Sequence, residues 1–206
     1  MKNLKYIFIL FAFVLPVMAS AHQPRIVESR QTAVVDPEIS KAYYGTLTGE
    51  PDVYTMDEPT AFDLYVNVLV PDIAGQKKDV SAVVLKDGKQ VALLDGSNFE
   101  WKKFYEPFGA DTYWMGPEYK ARADAGKYEI RVWSSNNDSK YSLAIGEIEA
   151  FDGKEGMNAI VLIPQIKMQF FNESFFGIFR SPFIYGPTLI VLFLVLAVIF
   201  IVKKFR

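Results

Sequence analysis

Three groups of residues in this chain could do chemistry: His22, a cluster of aromatics between positions 99 and 119, and a scatter of carboxylates. His22 is the single histidine among 206 residues, and there is no cysteine. The missing thiols remove cysteine catalysis, zinc–thiolate sites and haem attachment. A serine triad would have to rely on one base near a chain end. If His22 became a new N-terminus, its amine and imidazole could chelate copper. A methionine or carboxylate would then have to complete the site, because no second histidine exists. Glu100, Glu106, Asp111 and Glu118 lie among aromatics, as the paired carboxylates of a glycosidase would, although acidic loop residues are commonly just solvated. Asp36, Asp52, Asp57, Asp72 and Asp95 fall near turns, where calcium is sometimes held, but aspartate is also an ordinary turn residue. These patterns assign no catalytic residue and no metal site, and no cofactor is expected.

The aromatics make the sharper candidate. Trp101, Tyr105, Tyr113, Trp114 and Tyr119 could form a platform that stacks on sugar rings or anchors a protein partner. The competing use of the same rings is to fill a core or cap its open end. Exposure decides between the two.

Strands have to hold these residues. Phe62, Leu64, Val66, Val68 and Val70 alternate with Asp63, Tyr65 and Asn67, the period of a strand with one buried face. Val80–Leu85 and Gln90–Leu94 flank Asp87-Gly88, which predicts a hairpin closed by a type I′ turn. Tyr128, Ile130 and Val132 alternate ahead of Asn136-Asn137-Asp138 and Tyr141–Ile145, which predicts a second hairpin. Tyr43–Thr48 and Val53–Met56 read as strands on either side of a turn. Asn98–Tyr119, with Pro107-Phe108-Gly109 and Gly116-Pro117, reads as irregular connections. Residues 22–41 are polar, hold Pro24 and Pro37, and read as an extended leader. Residues 42–150 thus predict an all-β fold, a single antiparallel β-sandwich of jelly-roll-like type. Met157–Phe171 predicts an amphipathic helix kinked at Pro164. It belongs to a juxtamembrane segment, residues 155–182, that lies either along a bilayer interface or on the sandwich.

The two ends are apolar in different ways. Lys2 and Lys5 precede Ile7–Leu15, Pro16 and the small residues Ala19 and Ala21, the layout of a secretory signal peptide over residues 1–21. Residues 183–202 are charge-free and stop at Lys203-Lys204-Phe205-Arg206. At 1.5 Å per residue the run is about 30 Å long, the thickness of a bilayer's hydrocarbon. The basic flank marks residues 203–206 as a cytoplasmic tail. The expected localisation is the cell membrane, single-pass, with the N-terminus outside and the C-terminus in the cytoplasm. Two of the 22 basic residues precede position 22 and three follow position 202, leaving 17 beside all 24 acidic residues, a charge near −7. That balance argues against nucleic acid. The partners expected are the membrane and a protein or glycan on the exported side.

Ala125-Gly126-Lys127-Tyr128-Glu129-Ile130-Arg131-Val132, followed by Lys140-Tyr141-Ser142-Leu143-Ala144-Ile145, resembles the closing strands of bacterial pre-peptidase C-terminal-like domains. Those jelly rolls end in a GxYxxxV … xYxLxV pattern. Tyr44-Gly45-Thr46-Leu47 and Asp52-Val53-Tyr54 look like their opening. The resemblance covers residues 42–147. The family's central aspartates and glycines are not evident, and the aromatic insertion is a departure. In layout the chain also resembles uncharacterised membrane-anchored bacterial proteins. The resemblance implies a non-catalytic sandwich of the kind found beside secreted enzymes. The function expected is therefore a non-catalytic, membrane-anchored extracytoplasmic binding or assembly module. A carbohydrate-binding module using exposed aromatics, and a periplasmic copper-handling protein acting through His22, are the alternatives.

Overall fold

The computed structural model describes residues 22–204, so the expected signal peptide and the last two residues of the tail lie outside the described residues. The strands are β1 (Gln23–Ile26), β2 (Gln31–Ala33), β3 (Lys41–Thr46), β4 (Asp52–Glu58), β5 (Phe62–Pro71), β6 (Ser81–Lys86), β7 (Lys89–Leu94), β8 (Lys102–Glu106), β9 (Asp111–Ala123), β10 (Gly126–Trp133) and β11 (Lys140–Ile145). Helix α1 (Gly153–Gln165), a π-helical turn (Ile166–Phe170), a 3-10 turn (Phe175–Arg180) and helix α2 (Pro182–Lys204) follow.

The strands form two sheets, ordered β1-β3-β11-β5-β9-β8 and β2-β4-β10-β6-β7. They face each other across one core, as a sandwich requires. The alternation in β5 places Phe62, Leu64, Val66, Val68 and Val70 in that core. Opposite them lie Tyr54 and Met56 of β4, Val84 of β6, and Tyr128, Ile130 and Val132 of β10. The β6–β7 hairpin forms as expected. Asp87 (φ 48°) and Gly88 (φ 76°) both take the positive φ of a type I′ turn.

Three expectations are corrected. Residues 22–41 are not a leader outside the domain. β1 pairs in parallel with β3, and β2 in parallel with β4, so this segment closes one edge of each sheet. The sandwich is accordingly mixed at these two edges rather than wholly antiparallel. A polar segment suits an edge, where one side of the strand stays wet. The segments around Asn136–Asp138 are not a hairpin either. β10 pairs with β4 and β6, whereas β11 enters the other sheet between β3 and β5. Asp79 pins the crossing arch, accepting hydrogen bonds from Ser135 and Ser139. Finally, the aromatic stretch contains a regular hairpin, β8–β9. Beyond the hairpin, β9 continues along β5 and bulges at Gly116-Pro117 opposite Val68. There the Asn67 amide donates to both the Gly116 and Pro117 carbonyls, at 3.2 and 3.3 Å.

The segment after β11 packs on the sandwich. Asp152 caps α1, accepting the Glu155 N–H at 2.8 Å. Arg25 of β1 grips Glu155 through two bonds of 2.8 and 2.9 Å. Pro164 cannot donate to the helix ladder, and α1 widens into the π-helical turn just beyond it. Ile166, Phe170 and Phe171 then bury against Leu69, Tyr113 and Ala144 on the outer face of the six-stranded sheet. Lys140 of β11 closes the π-helical turn, donating to the Gln169 and Phe170 carbonyls and to Asn172 Oδ1. Of the two positions expected for residues 155–182, α1 and the π-helical turn thus take the one on the sandwich, and they belong to the domain.

Candidate functional site

The five aromatics do not form one platform. The Trp101 ring is in the core, and its indole N–H donates to the Gly96 carbonyl at 2.8 Å. Tyr113 is buried on the other side of its sheet, edge-on to Phe171 at 5.1 Å, with its hydroxyl 3.1 Å from that of Tyr44. Tyr119 and Trp114 are partly buried against the core. The Trp114 ring is further covered by Lys78 Nζ, 3.8 Å from its centroid, and by Lys103 Nζ at 5.0 Å. Asp72 ties this group together, accepting from Lys103 at 2.8 Å and from the Trp114 indole at 2.9 Å. The Lys103 bond, then the indole, holds the Asp72 carboxyl below its ordinary value. Tyr105 alone of the five is well exposed, at 59 %. Phe104, its neighbour on β8, is also exposed, and Phe99, before β8, is exposed with its ring edge-on to Trp101. Two accessible aromatics, Phe104 and Tyr105, therefore lie on β8, which among the described residues is an edge strand with β9 as its single partner in the sheet order.

The carboxylates sort differently. Glu118 accepts from the Tyr65 hydroxyl at 2.9 Å, and Glu100 is exposed. Glu106 and Asp111 are brought together at the ends of β8 and β9. Both line a small cavity of about 30 Å³ with His22, Tyr44, Phe108 and Ile163. That volume admits about one water and no sugar ring. Both groups are also committed. Glu106 accepts the Phe108 and Gly109 N–H groups at 2.6 Å each, and Asp111 accepts from Lys167 Nζ at 2.7 Å. Burial pushes both carboxyls above their ordinary values, partly offset by these donors. The arrangement does not suit paired-carboxylate hydrolysis, which needs carboxyls flanking an open substrate site.

His22 lies at the start of β1 with its ring hydrogen-bonded to Ser40 Oγ. Burial lowers its pKa, with Glu149 opposing. The ring thus points into the structure. Among the described residues, no group of three or more His, Cys, Asp or Glu side chains is placed to hold a metal ion.

Sequence reasoning missed the most unusual charge of the chain. Lys167 sits in the π-helical turn with its side chain wholly buried. Besides Asp111, it lies 3.8 Å from Glu173 Oε2, and Glu173 is ion-paired with Arg180. Ser181, also buried, donates its hydroxyl to the Phe108 carbonyl at 3.0 Å. Just beyond it, Ile184 of α2 packs on Phe108, Ala159 and Ile163. The tip of the β8–β9 hairpin, the π-helical turn, the 3-10 turn and the first turn of α2 are thus joined by one charged junction, buried at Lys167 and Asp111 and open at Arg180. A lysine between Ile163 and Ile166 on one side and Met168, Phe170 and Phe171 on the other was the available signal, because a buried ammonium requires a carboxylate.

No protein-family model and no curated relative matches the chain. Among solved structures it is similar to the pre-peptidase C-terminal domain of a collagenase from Bacillus anthracis, at 14 % identity and a TM-score of 0.33, covering 61 % of this chain and 95 % of that one. It is also similar to a family 35 carbohydrate binding module from an environmental isolate, at 14 % identity and a TM-score of 0.29, covering 58 % and 89 %. A third similarity is to the EclA C-terminal domain, described as a sugar-binding protein, at 16 % identity and a TM-score of 0.28, covering 53 % and 77 %. Similarities of this size leave function to be argued from this chain's own residues.

Proposed function

We propose that the chain is a non-catalytic, membrane-anchored β-sandwich that presents the β8 edge to a partner on the exported side. The observation that carries the proposal is the relation between α2 and the domain. Val191 to Leu196 of α2 are six consecutive exposed apolar residues, enough to surround a helix, so over that stretch no side of α2 is turned to the sandwich. A helix apolar all round belongs in hydrocarbon or in a core. Its 23 residues give about 35 Å, enough for a bilayer. When described residues alone are counted, no helix is long and apolar enough to cross a membrane. The proposed span includes positions 183, 187, 200 and 201, whose side chains lie outside that count.

The binding role is supported by β8, where Phe104 and Tyr105 are exposed beside Lys102 and Lys103 on an unpaired strand edge. Two experiments test the proposal. Alkaline carbonate should leave the full-length chain in the membrane pellet, and its release would refute the anchor. A photo-crosslinking residue at Tyr105 should yield one defined adduct in right-side-out membranes, with none from the same residue at Thr55 on the opposite sheet. Equal yields at both positions would refute the role of β8.

A carbohydrate-binding reading stays in play because Tyr105 is an open ring. Glycan-array binding abolished by Tyr105→Ala, with Trp101 left intact, would favour it.

A further inference from the structure

The 3-10 turn between the charged junction and α2 carries three exposed phenylalanines, and we propose that they seat in the interfacial layer of a lipid bilayer and hold the sandwich flush against it. This inference rests on the anchored reading above and adds a second lipid-contacting surface to it. Phe175, Phe176 and Phe179 are 60, 79 and 45 % exposed, whereas Ile178 on the same turn is buried. The turn is therefore two-faced: one side is fastened to the protein and the other offers aromatic rings to whatever surrounds it. Phe175 meets Phe176 and Phe179 edge-on, with centroids 6.0 Å apart in each pair. The three rings thus form one patch.

The patch cannot swing away from α2. Ser181 N–H bonds the Ile178 carbonyl at 3.2 Å, and the Ser181 hydroxyl bonds Phe108. Glu173, paired with Arg180, is itself tied by its N–H to the Lys167 carbonyl at 2.9 Å. Phe179 stands three residues before Pro182, where α2 begins. A helix that enters lipid at that point brings these rings to the depth of the headgroups, where aromatic side chains are favoured. Tyr185, exposed in the first turn of α2, continues the same belt. Arg180 is well exposed beside the patch, placed to meet lipid phosphate. Lipid is the occupant that fits, because the rings are continuous with a surface already assigned to hydrocarbon.

The chain has no cysteine, so single nitroxide labels can be placed cleanly. Full-length Phe176→Cys, Phe179→Cys, Val195→Cys and Tyr105→Cys variants would be reconstituted in phosphatidylcholine–phosphatidylglycerol vesicles. Collisions with oxygen and with a water-soluble nickel complex would then be read by electron spin resonance. The proposal expects the labels at 176 and 179 to lose most of the nickel broadening seen at 105 while gaining oxygen access, at a depth shallower than 195. If 195 is itself open to nickel, the anchor falls. If 195 is shielded but 176 and 179 behave as 105 does, the anchor stands and the seating is overturned. Spin–spin broadening at 176 that disappears on dilution with unlabelled chain would give the patch to a second copy, and would overturn it as well.

Discussion

Replacing Lys167 by methionine is the most direct test of the charged junction. Methionine fills a similar volume, so the main change is electrostatic. Asp111 loses a donor at 2.7 Å while remaining buried, and Glu173 loses a charge at 3.8 Å but keeps Arg180. Leaving one member of a buried pair alone costs about 3–5 kcal/mol. For a domain of this size that is a loss of roughly 6–20 °C in Tm, at about 2–4 °C per kcal/mol. Asp111→Leu combined with Lys167→Met removes the orphan and should recover most of the loss. The deficit also has a signed pH dependence. Burial already raises the folded pKa of Asp111. A carboxyl whose pKa is raised by folding favours the folded state fully below its ordinary value, and that contribution is lost as pH rises through the raised one. Without the ammonium the raise grows, so Lys167→Met should be closer to the parent protein in mild acid than at neutral pH. Thermal unfolding of the full chain in detergent, followed by circular dichroism at both pH values, measures each quantity. A single variant as stable as the parent, or a double variant no better than the single, would refute the reasoning.

Other expectations follow from the core. In Gly45→Ala the new Cβ would lie 2.5 Å from Cζ of Tyr141, so the variant should lose about 1–3 kcal/mol in a denaturant titration. Tyr141→Phe removes the hydroxyl that donates to Asp52 Oδ2 at 2.7 Å and meets the Tyr54 hydroxyl at 2.7 Å. It should cost about 1–3 kcal/mol by leaving a buried carboxylate short of a donor. Lys140→Met should speed amide exchange around the π-helical turn, with little change in β4 or β10, because the donated bonds lie at that turn. Tyr105→Ala should change stability by less than about 0.5 kcal/mol, since the ring is exposed.

Much of the architecture could be read from periodicity alone. The alternation in β5, the Asp87-Gly88 turn and the inward set Tyr128, Ile130 and Val132 all sit as their spacing requires. Pairing was less legible, because a period of two tells which face is buried but not which strand lies alongside. β10 and β11 look like a hairpin in sequence, yet they join opposite sheets. The β8–β9 hairpin was hidden because β9 runs on through Gly116 and Pro117, which read as a break but form a bulge against β5, and the Asn67 amide that satisfies the bulge comes from that other strand. The site was legible only in part. Aromatic type marks stacking potential, but burial of Trp101 and Tyr113 is a tertiary outcome. Lys167 and Asp111 are 56 residues apart, and nothing local couples them.

The order of the six-stranded sheet has a consequence for how the chain matures. β11, among the latest strands to be synthesised, lies between β3 and β5. Until Ile145 has emerged, those two earlier strands face a vacant slot one strand wide, with their hydrogen-bonding edges open. Closure must wait for a contact that links residues 46 and 140, a long-range pairing of the slow kind. The helices that then cover Leu69 and Tyr113 arrive immediately afterwards in sequence. Any nascent chain stalled before Lys140 therefore offers a ready-made acceptor to a stray β-strand, and β11 acts as the keystone.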